Sequence, residues 1–198
     1  MRNIKKYSTL IKVLLILVIL LSVNLLEAKV IKKDTKKEYW NTIIKELSIE
    51  ERNTLVKIFV KGIPYDLSYT LTAISIKESM VGRYMFNIND KKSVDVGIFM
   101  INSKEYLRRN SLEDNTWNTA RAMELLQDFD LNFSEAILTF NSCLKKAKGD
   151  KKKAWGYYNQ WNNGGNKEYS KDISAIIQVL KEYFSVEMYN KHRKELKD

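Results

Sequence analysis

Among 198 residues there is one proline, Pro64, and there are seven glycines. Both residue types interrupt helices, so their scarcity points to a chain built mainly of helix. There is a single cysteine, Cys143, which excludes an intramolecular disulfide. The only histidine, His192, lies in a charged C-terminal stretch, so a Ser-His nucleophile or a histidine-based zinc site is not expected. No metal and no cofactor is called for. With Leu138, Phe140 and Leu144 as neighbours, Cys143 reads as a small buried filler. Internal repeats and low-complexity tracts are also missing, which leaves one ordinary domain and a targeting segment.

Positive charge is abundant, with 34 Lys and Arg against 24 Asp and Glu and a formal net charge of +10. Part of it is N-terminal: Arg2, Lys5, Lys6 and Lys12 flank or interrupt an apolar run that continues unbroken from Val13 to Leu21. Leu26-Glu27-Ala28 follows, with a small residue at a cleavage position. This is the layout of a signal peptide, the alternative being an uncleaved N-terminal anchor. Membrane contact is expected only through that segment, if it is retained. Export to the periplasm or cell envelope is the expectation. Residues 1–28 hold four Lys and Arg and one Glu, so the remainder keeps a charge of +7. Such a charge suits anionic wall polymers or phospholipid headgroups. Nucleic acid, the other usual partner of a basic chain, is excluded by export. Because Lys is scattered and not confined to a stripe, a merely solvated surface is the plainer reading.

Residues 29–40 are polar and basic and read as a linker, the lead-in being taken to Leu47. The domain proper is placed at 48–190 and a charged tail at 191–198. Ser48 and Glu51 have capping-box spacing, with Leu55, Ile58 and Phe59 as the buried stripe of a first helix that Gly62 and Pro64 end. A second helix starts at Ser68, with Leu71, Ile74 and Glu78 on one face and Gly82 after it. Residues 83–101 change character. Asn87, Asn89 and Asp90 form turns, and Tyr84, Phe86, Val94 and Ile98 flank them as a small hairpin. Helix resumes from Trp117 to Leu126, then from Ser134 with Ala136, Ile137 and Phe140 inward. A basic loop, Lys145 to Lys153, leads to an aromatic and amide-rich segment, Trp155 to Asn166. The last helix carries Ile173, Ile176, Ile177, Leu180 and Phe184 on one face. The expected fold is mainly α with a minor β element.

Glu78 continues an apolar stripe, and a glutamate there is rare unless paired or functional. Desolvation and the negative end of its helix dipole both disfavour the carboxylate, which suits a general acid. The alternative is an exposed glutamate at a frayed helix end. Trp155, Tyr157, Tyr158 and Trp161 alternate with Asn159, Gln160, Asn162 and Asn163. That mixture suits sugars, and equally an aromatic core beside a polar loop.

The stretch IKESMVGRYMFNINDKKSVDVGIFMINSKEYL, Ile76 to Leu107, resembles the lysozyme-like lytic transglycosylases, above all the small ones that accompany bacterial secretion and pilus machines. In that family a Glu-Ser pair ends a helix, Asn-rich turns follow, and an S-x-D-x-G-L-M-Q-I-N-S element comes next. Here that element is SVDVGIFMINS, Ser93 to Ser103. WNTARAMELL, Trp117 to Leu126, resembles the following helix. AILTFN, Ala136 to Asn141, resembles the A-x-x-x-Tyr-Asn element with Phe140 for Tyr, and Tyr157-Tyr158-Asn159 is a second candidate for it. Tyr169 resembles the closing Tyr. The resemblance spans roughly residues 68–178 and implies a lysozyme-like α+β domain.

Carried over, the resemblance implies that Glu78 is the catalytic acid and base. Ser79 would support the turn beside it, and Gly97, Ile98 and Asn102 would floor the groove. Tyr158 or Phe140, with Tyr169, would line the sugar site. The family Gln is Met100 here, which cannot donate a hydrogen bond to the sugar. The implied substrate is the glycan strand of peptidoglycan, and an envelope-spanning secretion or pilus machine is the implied partner. Breaking a glycosidic bond needs a proton for the departing oxygen. The implied reaction uses the substrate's own hydroxyl as nucleophile and gives a 1,6-anhydromuramyl product. Asp95 has two readings, a turn residue capping the hairpin or a second catalytic carboxylate of a lysozyme-type hydrolase. Met100 and Phe140 favour a third reading, a wall-binding protein without turnover.

Overall fold

The computed structural model describes residues 35–89 and 93–195, and side chains up to residue 185. The apolar segment of residues 1–28, the turn residue Asp90 and His192 lie outside the residues or side chains so described. Among the described residues no helix is long and apolar enough to cross a membrane.

The chain is mainly helical, with one small antiparallel sheet. The first helix, α1, covers residues 35–45. The linker expected over residues 29–40 is therefore helix from residue 35 onward. Its sequence looks polar because only Trp40 and Ile44 are fully buried in the main core, with Ile43 partly buried against it. Lys36 and Lys37 pair with Asp172 and Glu182, which lays α1 along the last helix.

Helix α2, Ile49–Gly62, starts at the expected capping box. Glu51 N donates to Ser48 Oγ at 3.2 Å, and Ser48 N donates to Glu51 Oε2 at 2.7 Å. Leu55 and Ile58 are fully buried. Phe59 is half-buried against Tyr69 and Phe184, with ring centroids 5.0 and 4.0 Å away. A short 3-10 turn, Ile63–Tyr65, carries Pro64 and leads to α3, Ser68–Ser79. Every residue of α3 from Thr70 to Ile76 is buried. It is a central helix enclosed on all sides, packed against α2 and α8. The stripe through Leu71 and Ile74 thus does not by itself choose a face for Glu78. Glu78 meets solvent because it stands in the last turn, where the helix leaves the core.

Three strands follow: β1, Phe86–Asn89; β2, Ser93–Val96; and β3, Ile101–Asn102. They form a sheet of order β1-β2-β3, with Phe86 opposite Val96, Asn87 opposite Asp95, and Asp95 opposite Asn102. The expected hairpin is present with a third strand added. Tyr84 and Ile98 lie outside it, Tyr84 in the irregular backbone before β1 and Ile98 in the turn after β2.

Helix α4, Ser103–Arg109, was not among the expected elements, and α5 covers Thr116–Leu125. Helix α6, Phe129–Lys146, starts five residues before Ser134. Its cap is Asp128, whose Oδ1 accepts from Leu131 N at 2.8 Å. Asp150 caps α7, Lys151–Asn159, in the same way, so the basic loop shrinks to residues 147–150. Helix α8, Lys167–Glu195, continues into the stretch expected as a charged tail, of which residues 196–198 lie outside the described residues. It buries Ile173, Ile176, Leu180 and Phe184. Helices α6, α7 and α8 pack in sequence, and the cleft described next is lined by the end of α3, the sheet, α4, α6 and the end of α7.

Candidate functional site

A cavity of about 1100 Å³ has Glu78, Asp95, Met100 and Asn102 on one wall. The rest of the lining comes from α4, one face of α6, and the end of α7 with the loop after it. Thr139, Ser142, Cys143 and Lys146 of α6 share that face at helical spacing, so the cleft follows α6 for about two turns, ~10 Å.

Glu78 is half-buried in this wall. Tyr169 Oη donates to Glu78 Oε1 at 2.6 Å. The acid and this phenol are 91 residues apart in sequence and are brought together by the packing of α3 on α8. Burial raises the Glu78 carboxyl from its ordinary 4.5 to about 7, against the Tyr169 hydrogen bond, which lowers it. The charge of Asp95 raises it further, and Lys77 lowers it. Lys77 is one residue away but its Nζ bonds Asp172 Oδ2 at 2.9 Å. A carboxyl so placed is half protonated near neutral pH and can give up or take back a proton at Oε2, the oxygen Tyr169 leaves open.

The loop that carries the acid is locked from behind. Ser79 is fully buried. Its hydroxyl lies 2.7 Å from Ile98 O and 3.1 Å from Ser75 O as donor, and accepts from Gly82 N at 2.8 Å. Met80 and Val81 both adopt left-handed backbone, φ 51° and 60°, which turns the chain sharply out of α3. Arg83 closes the turn with two bonds to Glu51, at 2.9 and 3.0 Å.

The expected motif residues separate into two groups. Asp95, Met100 and Asn102 line the cavity with Glu78. Asn102 caps α4 through Oδ1 and donates from Nδ2 to Asp95 Oδ1 at 2.7 Å and to Ser93 Oγ at 3.0 Å. Met100 also takes left-handed backbone, φ 49°. Gly97 and Ile98, expected as the groove floor, are instead buried behind it and do not line the cavity. Gly97 has φ +82°, and a Cβ there would meet Asn132 Nδ2 at 2.3 Å and Leu126 O at 2.6 Å. Asn132, which the sequence did not single out, is the brace of this turn. It accepts from Phe99 N at 3.0 Å and donates to Val96 O at 2.9 Å.

Of the two candidate ring positions, Phe140 is fully buried in the core and lines nothing. Tyr158 lines the cavity beside Glu78, its hydroxyl donating to Phe99 O at 3.0 Å. Burial, then the Glu78 charge, pushes the Tyr158 phenol well above its ordinary range, and the same causes act on Tyr169. Both therefore stay neutral hydroxyls. The aromatic segment divides: Tyr157, Tyr158 and Trp161 line the cavity, while Trp155 turns inward and bonds Thr70 Oγ1 at 3.4 Å. Cys143 is buried, and burial pushes its thiol to about 12, so it is no nucleophile. Among the described residues no group of three His, Cys, Asp or Glu could hold a metal ion.

Sequence reading missed the α4 and α6 sides of the cleft. Glu105 receives two bonds from Arg108, at 2.9 and 2.7 Å, and Arg109 Nη2 donates to Glu135 Oε2 at 2.6 Å. The i, i+3 spacing of Glu105 and Arg108 was a visible signal for α4. Compared with protein families, curated proteins and solved structures, the chain matches none.

Proposed function

We propose that this chain is an exported peptidoglycan lytic transglycosylase with a lysozyme-like fold. It would cleave the MurNAc-GlcNAc bond and leave a 1,6-anhydromuramyl end, acting locally in the periplasm or cell envelope beside a secretion or pilus machine. The observation that carries this reading is Glu78, a carboxyl titrating near neutrality on the wall of a cleft rich in aromatic and amide groups. The motif order from Glu78 to Ser103 supports the same reading by resemblance. Glu78 gives its proton to the glycosidic oxygen as the C1–O bond breaks. The carboxylate then takes the proton of the sugar's own 6-hydroxyl, whose oxygen bonds C1. Proton and electron pairs balance, and no water is consumed.

A second reading, a lysozyme-type hydrolase, is favoured by one observation: the charge of Asp95 reaches Glu78 across the same cavity. Against it, one oxygen of Asp95 is committed to Asn102. Digestion of purified sacculi followed by mass spectrometry separates the two. The expected products are lighter by one water than hydrolysed muropeptides, with Glu78→Gln slower by at least ~10²-fold and Asp95→Asn still giving anhydro ends. Hydrated products together with an inactive Asp95→Asn variant would establish the hydrolase. Cleavage by Glu78→Gln at the parent rate would sink both.

A further inference from the structure

The cleft lining carries charge of both signs. Glu78, Asp95 and Glu105 supply the negative groups. Arg108, Arg109, Lys145 and Lys146 supply the positive ones. Two of these four cations are neutralised in place, Arg108 by Glu105 and Arg109 by Glu135. Lys145 and Lys146 have no carboxylate partner among the described residues. The Lys146 ammonium is held 4.1 Å above the Trp161 ring and 4.9 Å from the Tyr157 ring, and it donates to Trp161 O. It thus fixes an aromatic platform in the cavity lining.

A neutral sugar is satisfied by a ring face and amides, which Trp161, Asn159, Gln160 and Asn162 supply here. It has no use for two ammonium groups without carboxylate partners, exposed together at one end of a concave lining. We infer that the Lys145–Lys146–Trp161 end of the cleft is a subsite for an anionic substituent on the bound glycan, namely the free carboxylates of its stem peptide. The chain would then select peptide-bearing over bare glycan. This inference rests on the reading of the cleft as a peptidoglycan site.

The test uses the full chain carrying Glu78→Gln, so that ligands survive, and calorimetric binding of three probes. These are a peptide-bearing muropeptide with free carboxylates, the same glycan without peptide, and the muropeptide with its carboxylates amidated. At low salt the carboxylate probe should bind about 5- to 10-fold tighter than the other two, each ion pair giving roughly threefold. Raising the salt should close the gap. Adding Lys145→Gln and Lys146→Gln should bring the ratio close to one, and Lys145→Arg with Lys146→Arg should restore it. Because the readout is a ratio, any loosening of Trp161 that weakens all probes alike cancels. Equal binding of the three probes would overturn the subsite while leaving the glycan site standing. Binding of none would overturn the glycan reading itself. Glycerol phosphate outcompeting the carboxylate probe would show that the cations serve a phosphate polymer instead, and the inference would fail.

Discussion

Replacing Glu78 by Gln should change stability in a pH-dependent way that does not depend on what the protein acts on. Burial holds the Glu78 carboxyl near 7, against an ordinary 4.5. The folded state therefore binds this proton more tightly than the unfolded chain does. Below pH 4.5 both states are protonated and the group costs nothing through ionisation. As pH rises from 4.5 to about 7 the unfolded chain ionises and the fold does not, so stability is lost; above 7 the loss is complete. At about 1.36 kcal/mol for each pH unit between those values the full effect is about 3 kcal/mol. Since Glu78 opens on one side to the cavity, we expect about 1–3 kcal/mol. Gln is isosteric and does not titrate, and its oxygen can still accept from Tyr169. Thermal melts of both proteins from pH 4 to 8.5 should diverge, the variant gaining about 3–10 °C relative to the parent at the alkaline end. Any constant effect of the amide cancels in that comparison. Curves that stay parallel across the whole range would refute the argument that Glu78 is kept neutral by burial.

Tyr169→Phe removes the one hydrogen bond that lowers the Glu78 pKa, so the alkaline limb of the activity profile should move to higher pH, at a stability cost of about 1 kcal/mol; an unmoved limb would show that the phenol does not act on the acid. Gly97→Ala combines a left-handed backbone with a 2.3 Å clash against Asn132, and urea denaturation should show a loss of about 2 kcal/mol or more. A parental midpoint for Gly97→Ala would mean that the braced turn is loose.

What was legible in the sequence rested on local signals. The Ser48–Glu51 capping box, the Gly62–Pro64 stop and the hairpin turn all depend on residues within a few positions of each other. The helix starts at Asp128 and Asp150 were equally local but were hidden by acidic and basic neighbours that read as loop. Residue 35 onward looked like a linker because two buried residues, Trp40 and Ile44, are too few to make a stripe. The site divided along the same line. Residues of the SVDVGIFMINS stretch could be named in order, but sequence order does not say which of them face the cleft. Alternation in a two-residue strand and a left-handed turn is set by tertiary contacts, chiefly Asn132, which put Met100 and Asn102 outside and Gly97 and Ile98 behind. Tyr158 and Phe140 were indistinguishable until helix packing buried one in the core and set the other, partly buried, on the cavity wall.

The electrostatic setting of Glu78 lies further still from anything readable in its own segment. Carboxyls elsewhere in the described chain are displaced downward where they meet cations: Glu51 by Arg83, Asp66 by Lys151, Glu105 by Arg108 and Glu168 by Lys36. Asp172 moves down too, despite its burial, because Lys36 and Lys77 both bond it. Glu78 alone among the shifted carboxyls moves up, and its neighbour Lys77 is the reason the contrast is sharp. On α3 the two residues are adjacent, and the Lys77 charge lowers the Glu78 carboxyl without bonding it. Asp172, one turn along α8 from Tyr169, takes the ammonium instead. The same stretch of α8 thus supplies Glu78 with a neutral phenol and draws its nearest cation away. Asp172→Asn would free Lys77 to approach, lowering the Glu78 pKa; the acid then depends on an ion pair that never touches the cleft.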